Sequence, residues 1–191
     1  MPKIVDPVQY RKELLRKAFD LLAEQGYAKV TTRQLAKELG ISTGAMYHYF
    51  PSKKALFEQL VEEMGRQDVM AFRQLVVGAT TIQERIARLG QFLIDNEDYF
   101  VKQTAIWTDF CMNSDMTEVS SNAVFQHVDA AYCQGIAEAL KLSDRRVVQF
   151  IWTLINGVLL EQVGGHSPNT FTEQIELLVQ ILIAYFEKAP G

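Results

Sequence analysis

The sequence is poor in the residues that build metal centres, disulfide scaffolds and phosphate loops. Its 191 residues hold two cysteines and three histidines, and Cys111 and Cys133 have neither CxxC spacing nor clustered histidines beside them. They read as small buried hydrophobes, with no disulfide framework and no metal site. Nucleophile–base pairings and glycine-rich phosphate loops are missing too, which argues against an enzyme, and no cofactor is implied. The charged, proline-bearing start does not fit a signal peptide, and no uninterrupted apolar run is long enough to span a bilayer. A cytoplasmic protein with no membrane partner is therefore expected. Internal repeats, low-complexity tracts and β-strand alternation are also lacking.

What is present is helical periodicity and a content of 48% apolar residues, enough for a sizeable core. Beyond Lys53 the chain reads as entirely helical, with breaks at Gly78-Ala79-Thr80, around Asn113-Ser114-Asp115, at Ser143-Asp144 and at Gly164 to Asn169. A helix from Ser52 to about Val76 would carry movement from one region to the next. The expected fold is all-α. A three-helix helix-turn-helix module is expected over 1–54, and a larger helical bundle over 55–191.

The segment Thr31 to Lys53, TTRQLAKELGISTGAMYHYFPSK, carries the functional signal. It reads as two short helices joined by a tight glycine turn, the layout that docks in a DNA major groove. Ala36 is small enough for a steep crossing, Gly40 permits positive φ in the turn, and Met46 packs back on the first helix with Leu35, Leu39 and Ile41. Thr31 and Gln34 form a capping box, Ser42 is an N-cap, and Pro51 stops the second helix. Hairpins of this kind also occur in bundles that never touch DNA, so the exposed chemistry matters. Ser42, Thr43 and the bare backbone of Gly44 offer hydroxyls and N–H groups to phosphates, and Thr43 also suits a thymine methyl. With Met46 turned inward, Tyr47 faces solvent or phosphate. His48 is read as a flank residue beside DNA, Phe50 as core, and Lys53 as a phosphate clamp at the groove edge.

These residues, with Gly26-Tyr27, Thr31-Thr32-Arg33, Leu35-Ala36, Leu39-Gly40-Ile41, Tyr47-His48-Tyr49-Phe50-Pro51-Ser52-Lys53 and Leu56-Phe57, closely resemble the TetR family of bacterial transcriptional regulators, from about Leu14 to Leu60. The resemblance implies that Thr32, Tyr47, Tyr49 and Lys53 hold phosphates while Arg33, Thr43 and Gly44 approach base edges. Charge points the same way. Residues 1–54 hold ten lysines and arginines against five acids, whereas the rest holds nine against eighteen. A basic module on an acidic body directs one end toward a polyanion. Lys3, Arg11, Lys12, Arg16 and Lys17 crowd the first helix entry and add a candidate arm.

The last two helical stretches, from Arg145 and from Ile175, are apolar on two faces, and a chain of this size has one core to offer. A homodimer built on a four-helix bundle buries the second face; its expected contacts are Val148, Ile151, Ile155, Gly157, Leu159, Ile175, Leu178, Leu182 and Tyr185. Two recognition helices would then meet successive grooves of a palindromic double-stranded operator. Aromatic residues between Thr81 and Leu140 suggest a pocket for a small, largely apolar effector, and the family resemblance implies one. The candidates are Phe100, Trp107, Phe110, Cys111, Phe125, His127, Tyr132, Trp152 and Asn156. His127 and Asn156 are candidate polar anchors, and Asp109 leaves room for a cationic ligand. A ligand-released repressor is the leading reading. An activator, or a DNA-binding dimer with a protein effector or none, is the alternative.

Overall fold

Polar residues that accept a backbone N–H begin most of the helices. The computed structural model describes residues 6–165 and 167–188; Lys3 and His166 lie outside the described residues. Among those described, ten helices follow one another with no strand: α1 Pro7–Gln25, α2 Thr32–Leu39, α3 Thr43–Tyr49, α4 Lys53–Leu75, α5 Ile82–Asp95, α6 Glu97–Met112, α7 Met116–Ser121, α8 Ala123–Leu140, α9 Arg145–Gly164 and α10 Phe171–Lys188. Asp6, Thr31, Ser42, Thr81, Asp115 and Asp144 each cap the helix that follows them. The four expected breaks are present. Two more fall at asparagines: the Asn96 amide donates to the Phe92 carbonyl at 2.8 Å, and the Asn122 carbonyl oxygen accepts the Val124 N–H at 2.9 Å. Each ends one helix or starts another through its own side chain.

By packing, the chain forms two units. The first comprises the chain up to Gly65 together with Ile106–Val128, and the second Arg66–Ala105 with Asp129–Gly191. α4, α6 and α8 each supply residues to both.

The first unit is built around Leu14, Ala18 and Leu22 of α1, Leu35 and Leu39 of α2, Met46 and Phe50, all buried. Aromatic rings fill its other side. Phe57 stacks on Phe110 at 4.4 Å, and Tyr27 and Trp107 meet Phe110 and Phe125 edge-on at 4.9 Å.

The second unit packs Ile86, Leu89 and Leu93 of α5 against Ile175, Leu178 and Leu182 of α10, with Val148, Ile151, Ile155 and Leu159 of α9 in the same core. Gly90 is required at the α5–α10 approach, because a Cβ there would overlap the Val179 side chain. This packing corrects the expected dimer contacts. Val148, Ile151, Ile155, Leu159, Ile175, Leu178 and Leu182 lie inside the subunit's own core, and of the nine only Gly157 and Tyr185 face outward. Two apolar faces were visible in the sequence; α5 decides which one turns inward. The outward face carries Phe150 and Leu160 on α9 and Leu177, Ile181 and Tyr185 on α10, with Phe150 61% and Ile181 54% exposed. The same surplus makes α9 long and apolar enough, by length and composition, to cross a membrane, although Arg145, Arg146 and Glu161 interrupt it.

Candidate nucleic-acid interface

The hairpin that presents α3 is fixed by interactions within a few residues. Gln34 Oε1 accepts the Thr31 backbone N–H at 2.8 Å while Thr31 Oγ1 accepts the Gln34 N–H, which closes the capping box. At the other end of α2, Gly40 takes φ 70°, and the Ile41 N–H reaches back to the Ala36 carbonyl at 3.0 Å. Only a residue free to adopt positive φ turns the chain this tightly. Ser42 Oγ then accepts the Ala45 N–H at 3.1 Å and starts α3. Met46, buried completely, pins α3 to the core and leaves the flanking positions outside.

On that outer side lie Arg33 on α2 and Ser42, Thr43, Gly44, Tyr47 and His48 on α3, all exposed, with Thr32 half-buried at the first turn of α2. Tyr47 is 50% exposed, an unusual cost for a large ring on a short helix unless it meets a partner. Gly44 has nothing but Ser42 Oγ within 4 Å of where a Cβ would stand, so backbone N–H groups are open to close approach. Lys29 and Lys37 add exposed cations on the same module.

Two expected contacts sit differently. Tyr49 is half-buried and its ring meets Tyr10 of α1 at 5.7 Å, edge-on, with His48 beside it at 5.5 Å. Its phenyl body therefore braces α3 on α1. Lys53 is turned into the protein: Nζ donates to the Tyr27 and Val30 carbonyls, both at 3.0 Å, and lies 4.3 Å from the centre of the Tyr27 ring. Burial pulls its pKa below the usual lysine value, with the nearby Asp109 charge opposing. Asp109 itself accepts the Ala28 N–H at 2.7 Å, which makes it a fastener of that loop. Lys53 and Asp109 hold the Gly26–Thr31 loop from two sides, and that loop positions α2. Gly26, at φ 80°, already places its Cα hydrogen toward Asp109 Oδ2; a Cβ would come within 3.1 Å of it.

The expected pocket residues fall in both units. Trp107, Phe110, Cys111 and Phe125 belong to the first unit, where Phe110 and Phe125 line a groove of about 470 Å³ rimmed by Lys53, Lys54, Asp115 and Glu118. Phe100, Tyr132, Trp152 and Asn156 belong to the second. His127 is exposed, because Val124 and Val128 turn the inner side of α8 toward the core. Asn156 is exposed as well and bonds its amide to the Trp152 carbonyl at 2.8 Å. Cys111 and Cys133 are free and half-buried, less enclosed than expected, with burial raising both thiols.

The sequence did not single out Asp68 of α4. It is buried, its Oδ1 accepting from the Tyr99 hydroxyl at 2.9 Å and its Oδ2 from the Tyr132 hydroxyl at 2.5 Å and the Gln103 amide at 3.2 Å. It sits in a polar run, Glu62 to Asp68, that looks solvated, and its partners lie 31 to 64 residues away. No local pattern announces it.

Residues 14–60 match the sequence profile of the bacterial regulatory proteins of the tetR family. Over 158 residues the chain is 26% identical to the nucleoid occlusion factor SlmA of Aliivibrio fischeri, covering 81% of this chain and 80% of that protein. It is also 26% identical over 180 residues to the HTH-type transcriptional regulator BetI of Brucella anthropi, covering 88% and 90%. Among solved structures, a putative transcriptional regulator from Saccharomonospora viridis in complex with choline superposes with a TM-score of 0.72 at 20% identity, over 95% of this chain and 97% of that one. That likeness is one of fold.

Proposed function

Because the chain belongs to the TetR family of bacterial transcriptional regulators, we propose that it acts as a homodimeric repressor that a small molecule releases from a palindromic operator. The observation that carries the reading is the outer side of α2 and α3. Arg33, Thr43, Tyr47 and a bare Gly44 are displayed there on a hairpin locked by Thr31, Gln34, Gly40 and Ser42. Backbone N–H groups and hydroxyls at the start of α3 suit phosphates, and Arg33 and Thr43 suit base edges. With Lys53 bonded inward, the phosphate attraction falls to Arg33, Lys37, Lys29 and the α1 cations.

The outward apolar face of α9 and α10 is the proposed dimer seat. Each large apolar side chain it buries contributes about 1.5–3 kcal/mol, and Gly157, with nothing near its Cα hydrogens, lets backbones approach. A twofold pair then presents its α3 helices one turn of DNA apart, roughly 34–36 Å. Control follows from geometry, since a tenfold loss of affinity needs about 1.4 kcal/mol of difference between two arrangements. The functional division at residue 54 is part of this proposal, and so is a small-molecule effector whose body is largely apolar, held in the aromatic-rich helical region.

The test is selection of duplexes from a random library by the purified protein. Inverted repeats with half-sites a helical turn apart support the proposal; enrichment of no sequence contradicts it. The likeness to a nucleoid occlusion factor favours one second reading, a DNA-binding dimer whose output or effector is not a small-molecule switch. An effector screen that leaves operator binding untouched across compound classes would select it.

A further inference from the structure

The α3 sequence TGAMYHY holds no arginine, lysine, asparagine or glutamine, the side chains that most often read purines in the major groove. His48 supplies the one side-chain N–H on the helix. Its position follows from helical geometry. Met46 is completely buried and Tyr49 half-buried, while Thr43, Gly44, Tyr47 and His48 share the exposed arc. At about 100° per residue, Gly44 and His48 stand farthest from Met46 of all the residues of α3, about 160° away on either side.

Side chains on a helix lean toward its N-terminus, so His48 projects over the turn that holds Gly44. That turn is open. Beyond chain neighbours and the helix backbone, only Ser42 Oγ, at 3.9 Å, comes within 4 Å of where a Gly44 Cβ would stand. Gly44 and His48 thus form a notch with bare backbone for a floor and an imidazole for a wall. The wall is braced from inside, because the Tyr49 ring meets the imidazole edge-on at 5.5 Å and is itself backed by Tyr10 of α1 at 5.7 Å. Neither imidazole nitrogen bonds to protein among the described residues.

We propose that this notch receives a guanine of the operator half-site, with the His48 imidazole N–H donating to its O6 or N7 across the major groove. The inference rests on the DNA-binding reading above and deepens it by naming a base and its reader. Guanine fits because its major-groove edge presents two neighbouring acceptors, so an imidazole N–H finds one in either tautomer. Adenine puts an amino donor beside N7, cytosine offers a donor, and thymine sets a methyl beside its one acceptor. Gly44 lets the base edge approach, and Tyr49 acts as a positioning residue that holds the imidazole ready.

Selection of duplexes from a random library by the parent, His48→Ala and His48→Gln tests this on the full chain. The parent selects guanine at one symmetric position in each half-site. His48→Ala keeps its helical circular dichroism, retains the rest of the motif and loses that preference, worth roughly five- to a hundredfold. His48→Gln moves the preference toward adenine. Replacing the guanine by 7-deazaguanine or by 2-aminopurine, which lack N7 and O6 in turn, weakens the parent in at least one case and leaves His48→Ala unmoved. Gly44→Ala, whose Cβ has room in the free protein, keeps the melting temperature or raises it, yet weakens binding to the selected duplex several-fold because it fills the notch. A His48→Ala motif identical to the parent's, or a loss of affinity uniform over all duplexes, overturns the proposal and leaves the DNA-binding reading standing. If the parent enriches no sequence at all, that reading falls and the proposal falls with it.

Discussion

The two packed units handle polar groups in opposite ways. In the first, polar side chains cap helices and close turns, and Lys53 and Asp109 fasten a loop from half-buried positions, but no charged or polar side chain among the described residues is fully enclosed. In the second, a carboxylate is buried and served by hydroxyls from distant helices. The first unit thus keeps its polar groups at or near the surface, and the second encloses a carboxylate that joins α4, α6 and α8.

The largest effect that would break this comparison concerns the outward apolar face of the second unit. Ile181→Glu or Phe150→Glu places a charge where two subunits are proposed to meet, so light scattering should report a monomer and operator affinity should fall at least a hundredfold, about 2.7 kcal/mol. A dimer that persists in both variants moves the interface elsewhere. The next effect concerns the fasteners of the first unit. Lys53→Ala removes two charged-donor bonds to carbonyls, about 1.5–3 kcal/mol each at most, and should lower the melting temperature by several degrees while weakening DNA binding through a loosened loop. A variant of unchanged stability with a salt slope reduced by one would return Lys53 to the phosphates.

These expectations mark what was legible in the sequence. The capping box, the glycine turn and the Ser42 cap were readable because each partner lies within about four residues, and residue type alone predicts the bond. The burial of Met46 and Phe50 followed from the same short pattern. The inward bonds of Lys53 were not legible, because its acceptors are backbone carbonyls 23 and 26 residues away, which leave no mark in composition. The inward face of α9 and α10 depended on α5, and on Gly90 admitting Val179. The aromatic residues were read as one pocket, yet they divide between two cores, because helical spacing tells which residues share a face and not which helix meets that face.

Smaller effects sharpen the contrast. Gly26→Ala sets a Cβ against Asp109 at a left-handed φ and should cost roughly 1–2 kcal/mol in chemical denaturation; an unperturbed midpoint would show that the loop relaxes freely. Asp68 gives a pH signature. Burial holds its carboxyl above the usual aspartate range, outweighing the bonds from Tyr132, Tyr99 and Gln103. The folded protein then binds that proton more tightly than the unfolded chain. Stability from this group is present at low pH and is lost as pH rises from the ordinary aspartate pKa through the raised one. The melting temperature of Asp68→Asn relative to the parent should therefore increase across that window and level off above it, and a difference that is flat with pH would show that the carboxylate is fully compensated. Smallest of all, Tyr47→Phe should weaken binding to every duplex alike by a few-fold, whereas Arg33→Ala should also blur sequence preference.

Two copies of this chain are proposed to read one palindrome, and native mass spectrometry of the protein on its selected duplex decides the matter. Two protomers are expected on each duplex, with loss of that species when one half-site is shifted by about five base pairs, half a helical turn. A single protomer per duplex, or a complex indifferent to the shift, would contradict it.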